Sequence, residues 1–471
     1  MNEAAELFYT ERDARTLQYG ADLASLRRPV AVLIGADAAG DASSQVAAIG
    51  LVNMLARVHR RLHLDVPDAV LRARSLIGAG TLQDALVETA LAINPFLDLT
   101  TARTGDTVPD GALTLAIGLS VPEGLDIYLR WELGRGEISP ERGPTAPAFV
   151  EPPGQFSTHH DSRFGAATAS CLAAAAAFRA VHGHRVRATR VNMFEFTADD
   201  RAGTTTTPGP VDVGNVLVIG AGAVSQALIY WLRELGVTGR WDIVDGDDAE
   251  LHNTNRCMAM TAADAGWPDG RPGTEPKNKA FNAAALIDAT PHPHWYDKWL
   301  ALAAPTRYDL VLVLANERGV RASAAALGQP ILLHATTSAD WTAELHRHIP
   351  GRDDCPACRL PSSAKPRFAC SNGPVEPGDP QSGDAALPFL SAAAGLMLAG
   401  ALLQLPDEGE LVVGRYNHWR LHLELRHRLW QKSIHSGKQC SHVLAPETRN
   451  ALSSRAPGRW DVVDSEGAGS A

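Results

Sequence analysis

At 471 residues the chain is long enough for two or three domains of roughly 150 residues each. Its 45% hydrophobic and 20% charged residues are those of an ordinary globular protein. A net charge of -10 excludes general nucleic-acid affinity, which needs basic patches, and six cysteines over this length exclude a disulfide framework. The opening MNEAAELFYTERDARTL is polar and acidic rather than a basic-plus-apolar signal segment. A cytoplasmic protein with no membrane partner is therefore expected.

In chain order, ELFYTERDARTLQYGADLASLRRP reads as a polar helix, VAVLIGAD as a strand and SSQVAAIGLVNMLARVHRRL as an amphipathic helix. LHLDVPD is a second strand, TLQDALVETALAINPF a helix and ALTLAIGLS a third, buried strand, which together make a βαβ pattern. The turn IGADAAGDASSQ keeps Gly35 and Gly40 but inserts Asp37 and Asp41. Carboxylates placed there would repel a triphosphate by several kcal/mol if poorly solvated. The helix FGAATASCLAAAAAFRAVHG closes this half, with Cys171 as a small core residue. Residues 1–200 are thus expected to form a Rossmann-like unit that has lost nucleotide binding. RAGTTTTPGP, residues 201–210, reads as a linker.

The second half opens on VLVIGAGAVSQ, a short apolar strand followed by Gly220 and Gly222. Such a turn brings backbone N–H groups, and then a helix's positive end, up to a phosphate. The next strand, WDIVD, ends in Asp245, a carboxylate placed to accept from ribose hydroxyls. Ser225 stands at the third glycine of GxGxxG, so the glycine pattern alone fits many dinucleotide enzymes. EPKNKAFNAAALIDATP is a helix led by Lys277 and Lys279, and YDLVLVLANERGVR is a further strand and turn. ALPFLSAAAGLMLAGALLQL is long enough to raise a membrane question, but its Ala, Gly, Ser, Pro and Gln favour a buried core helix. Cys355 and Cys358, in DDCPACRLP, have the spacing of half a tetrahedral zinc site, with a redox CxxC as the alternative. Residues 451–471 read as a disordered tail.

DGDDAELHNTNR places Asp247, Asn253 and Arg256 after Asp245. This resembles the D-x-D-x-V-x-x-x-N-x-x-R element of the E1/ThiF/MoeB superfamily, which activates ubiquitin-like carboxyl termini with ATP. The resemblance implies that Asp245 holds the ribose and that Asn253 and Arg256 reach the phosphates, joined by Lys279 or, in competition with it, Lys277. It also implies an N-terminal arginine that reaches across to the ATP. Arg12, in YTERD, takes that part, with Arg15 as the fallback and a solvated helix arginine as the plain alternative. The family's magnesium-binding aspartate falls on Asn316, five residues before Arg321, which leaves Asp247 to compensate. The family's second cysteine pair is not intact. Cys440 with His442, or less favourably His435, would complete a Cys₃His zinc site with Cys355 and Cys358. Cys370 lies in the polar loop RFACSNGPVEPGDPQSGDAALPF, where E1-like enzymes of autophagy carry their thioester cysteine. A fourth zinc ligand is the competing role for Cys370, and Cys257 is read as structural.

The implied architecture is α/β: two Rossmann-like adenylation domains, the N-terminal one inactive and the C-terminal one active, as an intramolecular pseudodimer with a small zinc site. The active domain spans 211–450 and carries the crossover loop and catalytic cysteine. The implied cofactors are ATP, Mg²⁺ and Zn²⁺, and the implied partners are a ubiquitin-like protein and an E2-like protein. The nearest type is the E1-like component of bacterial ubiquitin-like conjugation operons linked to antiphage defence, the Bil systems. Alternatives are a ThiF/MoeB-type adenylyltransferase for a sulfur carrier, an enzyme that adenylates a ribosomal peptide, and a nucleotide-sensing pseudo-enzyme.

Overall fold

In the computed structural model, the described residues are 3–16, 22–102, 108–140, 161–202, 209–303, 308–315, 318–325, 330–338, 340–350, 352–356, 387–423, 429–434 and 459–464. They form two eight-stranded mixed α/β sheets wound alike. The first contains β1 (Val30–Ile34), β2 (Arg61–Asp65), β3 (Asp98–Ala102), β4 (Leu113–Ile117), β5 (Ile127–Glu132), β6 (Arg135–Ser139), β7 (Thr189–Asn192) and β8 (Thr197–Ala198). Their spatial order is β3-β2-β1-β4-β5-β6-β7-β8. The second contains β9 (Val211–Ile219), β10 (Val237–Val244), β11 (Thr290–His292), β12 (Leu310–Val313), β13 (Ile331–Ser338) and β14 (Thr342–His348). Past β15 (Gly409–Val413) come β16 (His418–His422) and β17 (Leu429–Lys432), and the order is β11-β10-β9-β12-β13-β14-β16-β17. β15 pairs apart, with β18 (Trp460–Asp464). In each sheet the first five strands are parallel and the rest antiparallel. The strand order therefore reverses between β1 and β4, and again between β9 and β12. In an open α/β sheet, ligands bind in the crevice at that switch point.

The apolar runs give the central strands: β1 and β4 are buried throughout, as are the last four residues of β9. The expected N-terminal helix is shorter than read. It divides into α1 (Glu3–Asp13) and α2 (Leu23–Leu26), the latter capped by the Asp22 carboxylate, which accepts from the Ala24 and Ser25 amides. α3 (Ala36–Ala39), α4 (Ala42–Val58), α5 (Leu82–Ile93) and α6 (Asp161–Val181) complete the first half. The second carries α7 (Ala223–Leu235), α8 (Leu251–Thr254), α9 (Lys279–Ile287), α10 (Tyr296–Leu302), α11 (Arg318–Ala325) and α12 (Pro388–Leu403).

Helices α4, α6, α7 and α12 pack on one another and join the inner faces of both sheets into one apolar core. Close approach explains their small residues. A Cβ on Gly395 would lie 2.5 Å from the Leu228 nitrogen, so α7 and α12 touch backbone to backbone there. The Trp231 ring lies against Gly50 of the other half, and its Nε1 donates to the Ala392 carbonyl at 3.0 Å. Arg163–Val181 is apolar and long enough to cross a membrane by composition, but 83% of that stretch is buried inside the protein. α12 is buried along nearly its whole length, as expected of a core helix.

Candidate functional site

The crevice at the β9–β12 switch point is a cleft of about 760 Å³. Its floor is the turn after β9. Gly220 has φ 94°, and a Cβ there would sit 2.6 Å from the Ala315 nitrogen at the end of β12, so only glycine lets the two strand ends meet. Gly222 is the N-cap of α7 and offers no side-chain cap, which leaves the helix's first amides facing the cleft. Asp245 follows β10 and braces this turn. Its Oδ2 accepts from the Ala221 amide at 2.6 Å and its Oδ1 from the Asp247 amide at 2.8 Å. Burial raises its pKa above the usual carboxylate range, against the pull of Lys279.

Cationic and polar groups converge opposite this turn. Lys279, the first residue of α9, is buried, and its Nζ is 2.9 Å from Asp247 Oδ2. Asn253 and Arg256 come from the short α8 region. The Asn253 side chain accepts from the Glu250 amide at 2.9 Å, and Arg256 Nη1 donates to the His252 carbonyl at 2.6 Å. Gly220, Gly222, Asp245, Asp247, Asn253, Arg256 and Lys279 all line the cleft. Cys257 also lies there, buried, and burial pushes its thiol up.

Two expected residues lie elsewhere. Arg12 does not line the cleft. It falls on the same face of α1 as Phe8 and Tyr9, fully buried, with Nε 2.7 Å from Asp13 Oδ1 and Nη1 donating to the Ala56 carbonyl at 3.1 Å. The N-terminal arginine in the cleft is Arg15, one turn further on and 3.4 Å from the His252 ring. α1 delivers it by packing Phe8 and Tyr9 against Leu251 and Trp267 of the second half. Lys277 points away from the cleft and is paired with Asp264 at 2.7 Å. Asn316, Cys358, Cys370, Cys440 and His442 lie outside the described residues. Of the expected zinc ligands only Cys355 is described, and it is buried.

Sequence reasoning missed part of the wall. Trp295 packs on Gly246, where a Cβ would come within 2.9 Å of its ring, and Tyr296, Lys298, Thr336 and Ser391 also line the cleft. HWYDKW follows directly on β11, so the rule that ligands gather at the carboxyl ends of parallel strands would have flagged it. A second omission is the latch beneath α8. From α4 of the first half, Arg57 Nη2 donates to the Met258 and Met260 carbonyls at 2.8 and 3.0 Å, and Nη1 to that of Thr254. Asn53 adds a bond to the Met258 carbonyl at 3.0 Å. The first half thereby holds the loop that carries Arg256.

The matching crevice of the first sheet is built differently. Where the second half has its glycine turn, the first has α3, and Asp37 turns its carboxylate onto the turn after β4. There it accepts from the Leu119 and Ser120 amides at 2.7 and 2.9 Å. Burial opposes ionisation, but these bonds and the Ser120 hydroxyl outweigh it and hold the carboxyl low. Asp41 caps α4 through the Ser44 amide at 2.7 Å.

Residues 29–194 match the BilD N-terminal domain family. Curated relatives include the uncharacterised protein y4jF of Sinorhizobium fredii, 26% identical over 206 residues, 41% of this chain and 37% of that protein. Another is the adenylyltransferase and sulfurtransferase MOCS3-1 of Zea mays, 25% identical over 160 residues, 33% of each chain. The chain thus spans about a third of the length of these relatives. Among solved structures, E. coli MccB aligns over 49% of this chain and 65% of its own at 12% identity and a TM-score of 0.35. MccB with ATP aligns over 49% and 66% at 16% identity and a TM-score of 0.34.

Proposed function

We propose that this chain, whose residues 29–194 match the BilD N-terminal domain family, is a member of the E1/ThiF/MoeB superfamily and that its second half adenylates the carboxyl terminus of a ubiquitin-like protein. The observation that carries this reading is the cleft itself: an uncapped helix N-terminus faced by Lys279, Arg256, Asn253 and Arg15. Such a set suits a polyphosphate. ATP lies with its phosphates against the α7 amides and its ribose toward Asp245, and Trp295 gives the base a wall. The carboxylate oxygen of the carrier attacks the α-phosphorus, the bond to the bridging oxygen breaks, and pyrophosphate leaves. Positioning and charge neutralisation supply the acceleration, since a carboxylate is already an adequate nucleophile. Arg15, rather than Arg12, is the residue that reaches in from the N-terminal segment. Asp247 suits magnesium's preference for carboxylate oxygen, and a magnesium ion held there would neutralise charge on the phosphates.

The first half is the inactive member of the pair, because α3 replaces the glycine turn there and sets the Asp37 carboxylate in the crevice, bonded to the Leu119 and Ser120 amides, where it would repel a phosphate. The Cys370 thiolate then takes the acyl group from the adenylate, AMP leaves, and the thioester passes to a cysteine of an E2-like protein. Cys355, Cys358, Cys440 and His442 would hold Zn²⁺, which would act as a structural clasp. The BilD-type first half supports a place in Bil-type conjugation and antiphage defence in the cytoplasm. A second reading, activation of a sulfur carrier, is favoured by the name of the maize relative. Incubation with ATP, the carrier and an E2-like protein separates the two. A reductant-sensitive carrier adduct, absent in Cys370→Ala while ATP–pyrophosphate exchange persists, supports thioester transfer. Exchange with no adduct, and a carrier thiocarboxylate once a sulfurtransferase is added, supports the second reading. No exchange with any carrier rejects both.

A further inference from the structure

Beside Thr336 of the cleft wall, the antiparallel part of the second sheet carries a file of polar side chains to which the adenylation reading gives no role. Strand register places His334 opposite His346, His346 opposite His418, and Glu344 opposite Arg420, so these side chains share one face of β13, β14 and β16. The His418 and His346 rings stack at 4.0 Å, and those of His346 and His334 at 4.1 Å. One carboxylate oxygen, Glu344 Oε2, lies 3.3 Å from His346 Nε2 and 3.2 Å from His418 Nε2. The three ligand atoms all fall within 4.8 Å of one another.

We propose that Glu344, His346 and His418 bind a first-row divalent cation, with Zn²⁺ the natural occupant and water in the fourth position. The set is two imidazoles and one carboxylate, hard and borderline donors without thiolate. Ligands about 2.0–2.1 Å from a tetrahedral ion stand roughly 3.3 Å apart, the separation already present along both edges from Glu344. The carboxylate is held from behind, because its other oxygen, Oε1, is 3.0 Å from Arg420 Nε, which leaves Oε2 to face the histidines. The His346 ring is fixed between those of His334 and His418, and the file ends where His334 Nδ1 meets His348 Nε2 at 3.1 Å and His348 Nδ1 meets the Asp354 carbonyl at 2.8 Å. Fixed ligand orientations of this kind are what a metal site needs. Glu344 and His418 keep 18% and 11% of their side-chain surface exposed, so an ion and a water have access. The site is separate from the cysteine ligands proposed above and stands or falls independently of adenylation.

The test is Co²⁺ loading of the full-length, chelator-stripped protein, with metal equivalents counted beside the absorption spectrum. Cobalt on cysteine gives an intense thiolate charge-transfer band, whereas cobalt on Glu344, His346 and His418 gives only weak visible bands. The expected result is one equivalent of the second kind, lost in Glu344→Gln and in His418→Gln while any charge-transfer band stays unchanged. Circular dichroism checks the fold, and His418→Gln alone decides if Glu344→Gln unfolds, because His418 is the first residue of β16 and its ring is partly exposed. Retention of every equivalent in a folded variant, or binding by the wild type through thiolate alone, would overturn the proposal.

Discussion

Lys279 serves the cleft twice. Its ammonium pairs with Asp247 and also restrains the rise of Asp245, so removing it leaves two carboxylates facing an incoming polyphosphate. Lys279→Ala should lower kcat/KM for ATP–pyrophosphate exchange by about 10²-fold or more. Lys277→Ala, which removes an exposed ammonium from the buried Asp264 outside the cleft, should change it less than about threefold. A different residue sets acid sensitivity. His59 caps α4, fully buried and without a side-chain hydrogen bond, and burial pushes it down to about 3 from its ordinary 6.5. The folded chain resists a proton that the unfolded chain accepts. The contribution of His59 to stability is therefore full above pH 6.5 and falls by about 1.4 kcal/mol per unit as pH drops from there toward 3. Urea midpoints at pH 7.5 and about 5.5 should show that decline in the wild type and a clearly flatter response in His59→Gln.

Among the helices, α12 and α7 pack backbone to backbone at Gly395. Gly395→Ala puts a methyl 2.5 Å from a backbone nitrogen that cannot rotate away, and should cost roughly 1–3 kcal/mol in urea unfolding. Equal stability of Gly395→Ala and wild type would show that the helices separate freely. Much of this level was legible in the sequence. VAVLI, VLVI and YDLVLV announce buried parallel strands, and DGDDAELHNTNR announces the polar loop, because short-range pattern dictates both. The antiparallel strands escaped notice. TAELHRH and HWRLH alternate charged and aromatic residues with few purely apolar ones, and only their place beside β13 makes them strands. Arg15 rather than Arg12 lines the cleft for a local reason. Arg12 sits four residues after Phe8, on the apolar face of α1, and is carried inward with it, while Arg15 lies past the end of the helix.

Across the whole molecule, two sheets with the same strand order differ at their crevices. In the second the first amides of α7 face the cleft, whereas in the first the Asp37 carboxylate is bonded to the amides after β4. The first half is still needed, because Arg57 fastens the 254–260 loop across the interface. No pattern in the sequence marks that long-range pair. Arg57→Met strands the Thr254 and Met260 carbonyls, while that of Met258 keeps Asn53, and should destabilise the protein by roughly 2–5 kcal/mol. Hydrogen exchange should speed up at residues 254–260 ahead of β9. Phosphorus NMR of the ATP products formed with a cognate carrier tests the proposed chemistry most directly. Attack at the α-phosphorus requires AMP and pyrophosphate, in amounts that follow the carrier's free carboxyl terminus. ADP with orthophosphate, or turnover that ignores an amidated carrier terminus, would contradict it.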